Sequence, residues 1–358
     1  LLTLFGSIAT MPEATLSDVL PVKRLTVGLT NLCNLDCDYC LRVAETQHLD
    51  FDLLHEVLRQ ARDYGVTDVT YTGGEVLLHP RFQDVLRCTA ELGLAYSFVT
   101  NGWHFPKAVP VLRETKAALY RIFFSLDGPT EAAHDAVRGK GSFRKLMAAV
   151  ALCRFYGFPF GINMVVTKRN VRSIEAMAVL WARLGADVVQ FMHVLPTSED
   201  YDRALSLTPD ERRAAEQEAA AMNAILKMPV QFAAGHSMPV PGTPCVSLSG
   251  ETVNLDCRGR LTLCCNLSDF RNAVGEADVI ADMRITSFRE ACEQVHRLAR
   301  FQRERRNAAL AAGDATAEFP CHFCIATFGK TTWQGSALVQ LGRARATDSK
   351  PLPRSVSV

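Results

Sequence analysis

Three cysteines fall within eight positions in the stretch NLCNLDCDYCLR (31–42): Cys33, Cys37 and Cys40. They follow directly on the β-branched run RLTVGLT, so they sit in a loop at the end of a strand. Thiolates at i, i+4 and i+7 in such a loop suit three corners of a cubic iron–sulfur cluster. A fourth iron would then lack a protein ligand and could chelate a small molecule. A structural zinc would need a fourth donor nearby, and His48 is the nearest imidazole. Spacing alone leaves a cluster, a zinc knuckle and plain buried thiols all open. The opening run LLTLFGSIATMPEATL lacks a basic n-region, and its apolar stretch is too short for a signal peptide. The 12 cysteines of the chain therefore read as ligands or buried thiols rather than disulfides.

The elements that would carry this loop alternate. Strands are predicted over 24–30, 66–74, 95–102, 119–128, 160–168 and 187–197, from β-branched and aromatic runs closed by turn residues. Helical spacing appears at 52–65 and 80–93, and in SFRKLMAAVALCRFYG and SIEAMAVLWARLG. Six strands alternating with helices predict an α/β fold with a parallel sheet and crossover helices. The pattern does not say whether that sheet closes, lies flat or curls. Beyond it, TPDERRAAEQEAAAMNAIL (208–226) carries a capping box, Thr208 with Glu211, and Pro209 at the first helical position. PVPGTP (239–244) breaks the chain, ETVNLDCRGRLTLCCNL (251–267) reads as a hairpin turning near Arg258-Gly259, and a helix spans about 284–311. FPCHFC (319–324) follows, and the polar, Pro-containing end reads as a disordered tail. Cys88, Cys153 and Cys292 lie on apolar helix faces and read as core, and RLARFQRERR (297–306) reads as a solvated helix face.

The C-x3-C-x2-C loop after the first strand, with Tyr39 before its last cysteine, resembles the radical S-adenosylmethionine (SAM) superfamily. The resemblance runs over about 24–330 and includes HDAVRGKGSF (134–143), which is similar to a stretch of family members that modify peptides. It implies a partial (β/α)6 TIM-like barrel and a [4Fe–4S] cluster on Cys33, Cys37 and Cys40, whose open iron binds the methionine part of SAM. It also implies a SAM cradle at the strand ends: Gly73, Gly74 and Glu75 at the methionine amino group, Asn101 beside Thr100, Ser125 and Asp127 near the ribose and carboxylate, and Arg138 on the carboxylate. Tyr39 joins that cradle, and Asn163, Val165 and Met192 are candidates to line the adenine. Glycines at 73 and 74 would let backbone approach a ligand, and Glu75 offers an acceptor to an ammonium group. Ser125 and Asp127, two apart, share one strand face. An Asp-Gly turn is the plain alternative for Asp127, and His134 and Asp135 would shape their turn.

Cys245, thirteen residues, Gly259, four residues and Cys264 resemble the opening of the SPASM and twitch extensions of that family, with Cys321-x2-Cys324 completing four thiolates. No cysteine follows position 324, which favours the shorter twitch arrangement, a small Cys-rich hairpin-plus-helix domain with one auxiliary [4Fe–4S] cluster. Zinc on the same four remains the alternative. Cys257 and Cys265 border this set. Of the adjacent pair only one can point at a given iron; the Gly-x4-Cys count favours Cys264, which leaves Cys265 as a bystander or a catalytic hydrogen donor.

The implied activity is reductive cleavage of SAM to a 5′-deoxyadenosyl radical that abstracts a substrate hydrogen. A net oxidation follows: a cross-link, dehydrogenation or decarboxylation of a ribosomally made peptide. Alternatives are the same chemistry on a sugar, nucleoside or tetrapyrrole, and a non-catalytic iron–sulfur electron carrier or sensor. The implied partners are an electron donor such as flavodoxin or ferredoxin and a separate peptide-leader-binding protein, since about 23 residues before the first strand are too few for a leader-binding domain. Lys and Arg total 39 against 38 Asp and Glu, so no net field favours nucleic acid or a membrane surface, and a cytoplasmic location is expected. The expected divisions are 1–23 as an extension, 24–230 as the barrel, 231–335 as the cluster domain and 336–358 as the tail.

Overall fold

β1 (Arg24–Thr30), β2 (Asp68–Gly73), β3 (Ala95–Thr100), β4 (Leu119–Ser125), β5 (Phe160–Val166) and β6 (Val188–His193) fall on the six predicted runs. The computed structural model describes residues 21–233, 235–236, 245–268, 270–271 and 278–331. The predicted tail, the breaker at 239–244 and most of the N-terminal extension lie outside them. The six strands pair parallel in sequence order. Their crossovers contain α1 (Phe51–Tyr64), α2 (Phe82–Glu91), α3 (Val109–Glu114), α4 (Glu131–Arg138), α5 (Ser142–Tyr156) and α6 (Ile174–Leu184). Two further helices, α7 (Glu199–Leu205) and α8 (Pro209–Ile225), follow β6. The Thr208–Glu211 capping box at the start of α8 is present in both directions.

Sequence periodicity gave no sign of β7 (Val230–Phe232), a seventh parallel strand laid on β6. Three residues are too few to show alternation. β8 (Thr252–Leu255) and β9 (Arg260–Thr262) form the predicted hairpin, and β10 (Val279–Asp282) adds an antiparallel third strand. The hairpin is not a separate sheet: β8 pairs parallel with β1, Arg24 opposite Thr252 and Val27 opposite Leu255. One ten-stranded sheet results, in the order β10-β9-β8-β1-β2-β3-β4-β5-β6-β7. The chain ends its described course in α9 (Phe288–Ala311) and α10 (Pro320–Thr327).

Strand alternation gives the sheet two unlike faces. Val69, Tyr71, Phe98, Ile122, Phe124, Ile162, Met164, Val189 and Phe191 are buried in the core with the apolar stripes of the helices, among them Leu58, Leu86, Val150 and Trp181. Cys88, Cys153 and Cys292 join that core, as their helical positions predicted. The register places polar residues on the other face: Thr26 beside Thr70, Ser97 beside Arg121, and Ser125 beside Asn163, itself opposite Gln190. A closed barrel of this type fills its lumen with branched apolar side chains. A polar lining instead marks a curled, incomplete barrel with room for a ligand.

Candidate functional site

The cysteine loop is fastened to the ends of the parallel strands. Gly74 N donates to Thr30 O (2.7 Å) and Glu75 N to Leu32 O (2.8 Å). Gly73 has φ +137°, and a Cβ there would stand 2.2 Å from Thr30 O; one on Gly74 would stand 2.3 Å from Leu32 O. The space these glycines leave is therefore taken by the chain entering the cysteine loop, and it is this backbone that they admit. Glu75 is buried, and its carboxylate accepts from Thr100 Oγ1 (2.6 Å), Asn101 N (2.7 Å) and Leu77 N (3.3 Å). Burial raises its pKa against those three donors. Asn101 passes the connection on, donating from Nδ2 to Asn34 Oδ1 (3.0 Å) inside the loop.

Asp127 is the second fastening. Its Oδ2 accepts from Tyr39 and from Arg138 Nε, both at 2.5 Å, and its Oδ1 accepts from Val165 N at 3.1 Å. Arg138 also donates to the Tyr39 hydroxyl. One carboxylate thus holds the cysteine loop, β4, β5 and the end of α4 together. Burial works against the Arg138 charge, but the Asp127 carboxylate outweighs it and keeps the guanidinium ionised. Burial pushes the Cys37 thiol up to about 11, with Arg138 pulling the other way. Arg169 pairs with Asp38 and adds a further tie to the loop. His48 stands edge-on to His79 at 5.6 Å.

Ser125, Asn163, Val165 and Met192 lie on the polar inner face, half-buried, with Ser125 opposite Asn163 and Val165 opposite Met192. Asn163 Oδ1 has no partner among the described residues. His134 is buried, its Nδ1 accepting from Asp127 N at 3.3 Å, and Asp135 caps the turn at Gly141–Phe143. Both shape the segment, as expected.

The four C-terminal cysteines of the second pattern line one cavity: Cys245, Cys264, Cys321 and Cys324. Cys321 and Cys324 start α10, one helical turn apart. Gly235, at φ +88°, brings backbone against them; a Cβ there would lie 3.1 Å from Cys321 Sγ. Amide donors face the sulfurs: Asn266 N to Cys264 (3.5 Å), Asn266 Nδ2 to Cys321 (3.8 Å) and Gln302 Nε2 to Cys324 (3.7 Å). Leu35 N does the same for Cys33 (3.5 Å). Thiols with N–H donors aimed at them suit an iron–sulfur cluster, whose sulfurs are tuned by such bonds. Among the described residues no three His, Cys, Asp or Glu side chains converge on a single-ion position, so the fit rests on donor type and grouping. Cys265 does not line the cavity, and Cys257 is buried against Gly28 and Gln47.

Several residues of this arrangement gave no sequence signal. Arg42 bridges to Phe270 and donates to Cys265 O (3.2 Å), while Arg271 N donates to Leu41 O (2.6 Å), which joins the two cysteine groups directly. Asn266 was legible only as the residue after Cys264-Cys265. Arg306 corrects the reading of 297–306 as a solvated face: it is buried, bonding Ala317 O at 2.8 Å beside the cysteine cavity.

Residues 27–180 match the Radical SAM superfamily model. It is 32% identical over 179 residues to PqqA peptide cyclase of Gluconobacter oxydans, covering 48% of this chain and 49% of that protein. It is 31% identical over 194 residues to AdoMet-dependent heme synthase of Methanosarcina barkeri, covering 49% and 55%. The chain thus spans about half the length of the curated relatives it matches. Its fold is similar to that of native anSMEcpe with bound AdoMet and Cp18Cys peptide, at TM-score 0.63 and 18% identity over 79% of this chain and 84% of that one. The match over 27–180 implies SAM and one [4Fe–4S] cluster. No described helix is long and apolar enough to cross a membrane.

Proposed function

We propose that the chain is a radical SAM enzyme carrying an auxiliary [4Fe–4S] cluster and oxidising a peptide substrate. Cys33, Cys37 and Cys40 would hold the SAM-binding cluster, and Cys245, Cys264, Cys321 and Cys324 the auxiliary one. The observation that carries the reading is the single cavity lined by four cysteines drawn from positions as far apart as 245 and 324. When bound, SAM and its cluster supply a one-electron cleavage of the sulfonium and a hydrogen-abstracting radical. The chain's own residues would do the positioning. Asp127, Tyr39 and Arg138 lock the loop to β4 and β5, and Glu75 locks it to β3. Asn163 Oδ1, unpartnered on the inner face, could accept from the amino group of an adenine held against Val165 and Met192. The buried surround excludes water from the reacting centre.

A peptide substrate is supported by the likeness to PqqA peptide cyclase and by the peptide in the anSMEcpe structure. The likeness to heme synthase favours a tetrapyrrole as the second reading. Anaerobic reconstitution, iron analysis and chromatography for 5′-deoxyadenosine test the proposal. About eight irons per chain and deoxyadenosine formation are expected, with both readouts reduced in Cys37→Ala. A fully iron-loaded protein that makes no deoxyadenosine under strong reduction would overturn it.

A further inference from the structure

Two polar side chains of α9, one helical turn apart, are buried where that helix meets α10: Gln302 is 1% exposed and Arg306 3%. Gln302 Nε2 donates to Cys324 Sγ at 3.7 Å and to Thr327 Oγ1 at 2.6 Å. Arg306 Nε donates to Ala317 O at 2.8 Å and its Nη2 to Glu318 O at 3.5 Å, so it grips the chain just before Cys321. These acceptors are neutral backbone carbonyls. No described carboxylate pairs with the guanidinium. Burial opposes its charge, and the groups able to offer it negative charge are Cys245, Cys324 and Cys321. A buried cation without a counter-charge is among the costlier features a fold can keep.

The first cysteine group is balanced differently. Its cation, Arg138, is already paired with the buried Asp127 at 2.5 Å, and Glu75 sets a second carboxylate near Cys33. For Cys245 and Cys324 the charged neighbour that matters, besides other cysteines, is Arg306. A thiol that coordinates a metal gives up its proton, so it is the metal-bound state that hands Arg306 its counter-charge. The two cysteine groups thus differ in kind: one has a neutralised cation, the other a free one.

We propose that Arg306 is a positioning residue that balances the charge of a cluster held by Cys245, Cys264, Cys321 and Cys324 and raises its reduction potential. The inference rests on the auxiliary-cluster reading above. One-electron reduction adds a negative charge to such a cluster, and a fixed cation in a buried setting favours the more negative state. The electron comes from an external one-electron donor or from the substrate radical, which is oxidised as the cluster is reduced. Arg306 therefore suits the C-terminal site to accepting electrons.

A dithionite titration followed by electron paramagnetic resonance tests this on the full-length chain carrying Cys33→Ala, Cys37→Ala and Cys40→Ala, so that one cluster is read. In that parent, Arg306→Gln keeps an N–H donor but no charge. It is expected to shift the reduced-to-oxidised ratio about tenfold toward oxidised at a given potential, a fall of about 59 mV in midpoint. Arg306→Lys, which keeps the charge, is expected to stay close to the parent. Arg289→Gln, exposed and about 25 Å away along α9, is expected to change nothing. An intact cluster with the same midpoint in Arg306→Gln overturns this inference alone. A parent that holds no iron and gives no cluster signal overturns the auxiliary-cluster reading and this inference with it. If Arg306→Gln does not fold, electron–nuclear double resonance with heavy-nitrogen arginine compares the parent with Arg306→Lys. A nitrogen coupling lost in Arg306→Lys is expected, and identical spectra overturn the proposal.

Discussion

Tyr39 and Asp127 lie 88 positions apart, and the phenol of one donates a 2.5 Å hydrogen bond to the carboxylate of the other. Arg138 closes the triangle by donating to both. Asp127 is fully buried and the Arg138 side chain nearly so, which makes this an ion pair screened little by solvent.

Removing one partner of that pair strands the other. Asp127→Asn is expected to cost about 3–5 kcal/mol of stability, because Arg138 is left buried and uncompensated. Tyr39→Phe, which loses a hydrogen bond but no charge, should cost about 1 kcal/mol. Denaturant unfolding of the two variants measures the gap, and equal losses would place the energy in the hydrogen bond instead.

The close approach at Gly74 predicts a local effect on iron. Gly74→Ala puts a Cβ into Leu32 O, so the cysteine loop must shift. About half the iron of the reconstituted protein should be lost, with the remainder on the C-terminal cysteines. Gly28→Ala on β1 meets only ordinary contacts at 3.5 Å and should keep full iron.

Cys264 lines the cavity and Cys265 does not, although the two thiols hydrogen-bond to each other. Cys264→Ala is expected to reduce iron by about half, whereas Cys265→Ala, whose thiol does not line the cavity, should leave it unchanged. Iron analysis alone decides this, without a known substrate.

Acid should weaken the fold through His134. Burial holds its imidazole down to about 4, against an ordinary value of 6.5. Between those values the unfolded chain binds a proton that the folded chain refuses, so stability falls as pH drops from 6.5 toward 4, by at most about 1.4 kcal/mol per unit. Below 4 this contribution stops changing. Replacing it with a side chain that does not titrate, in His134→Gln, should flatten the slope of unfolding free energy against pH over that window.

Strand and helix identity was legible because each of the first six strands is a long β-branched run closed by turn residues. β7 and β10 were not, since three or four residues cannot show a period. The grouping of Cys245, Cys264, Cys321 and Cys324 was implied by the resemblance to SPASM and twitch extensions, and the structure brings the four to one cavity. What spacing could not show was how residues between the motifs are used. Gly73 and Gly74 admit backbone, Glu75 is saturated by Thr100, Asn101 and Leu77, and Arg42 spans the two cysteine groups. Each depends on a partner far away in the chain, and pairings of that kind leave no periodic trace.

The cysteine cavity also has a mechanical meaning. Gly235 and His236 reach it from beyond β7, while Cys245, Cys264 and Asn266 flank β8 and β9, toward the opposite border of the sheet. Segments from the two borders of the sheet therefore meet at that cavity, and a cluster held by its four cysteines would tie those borders together.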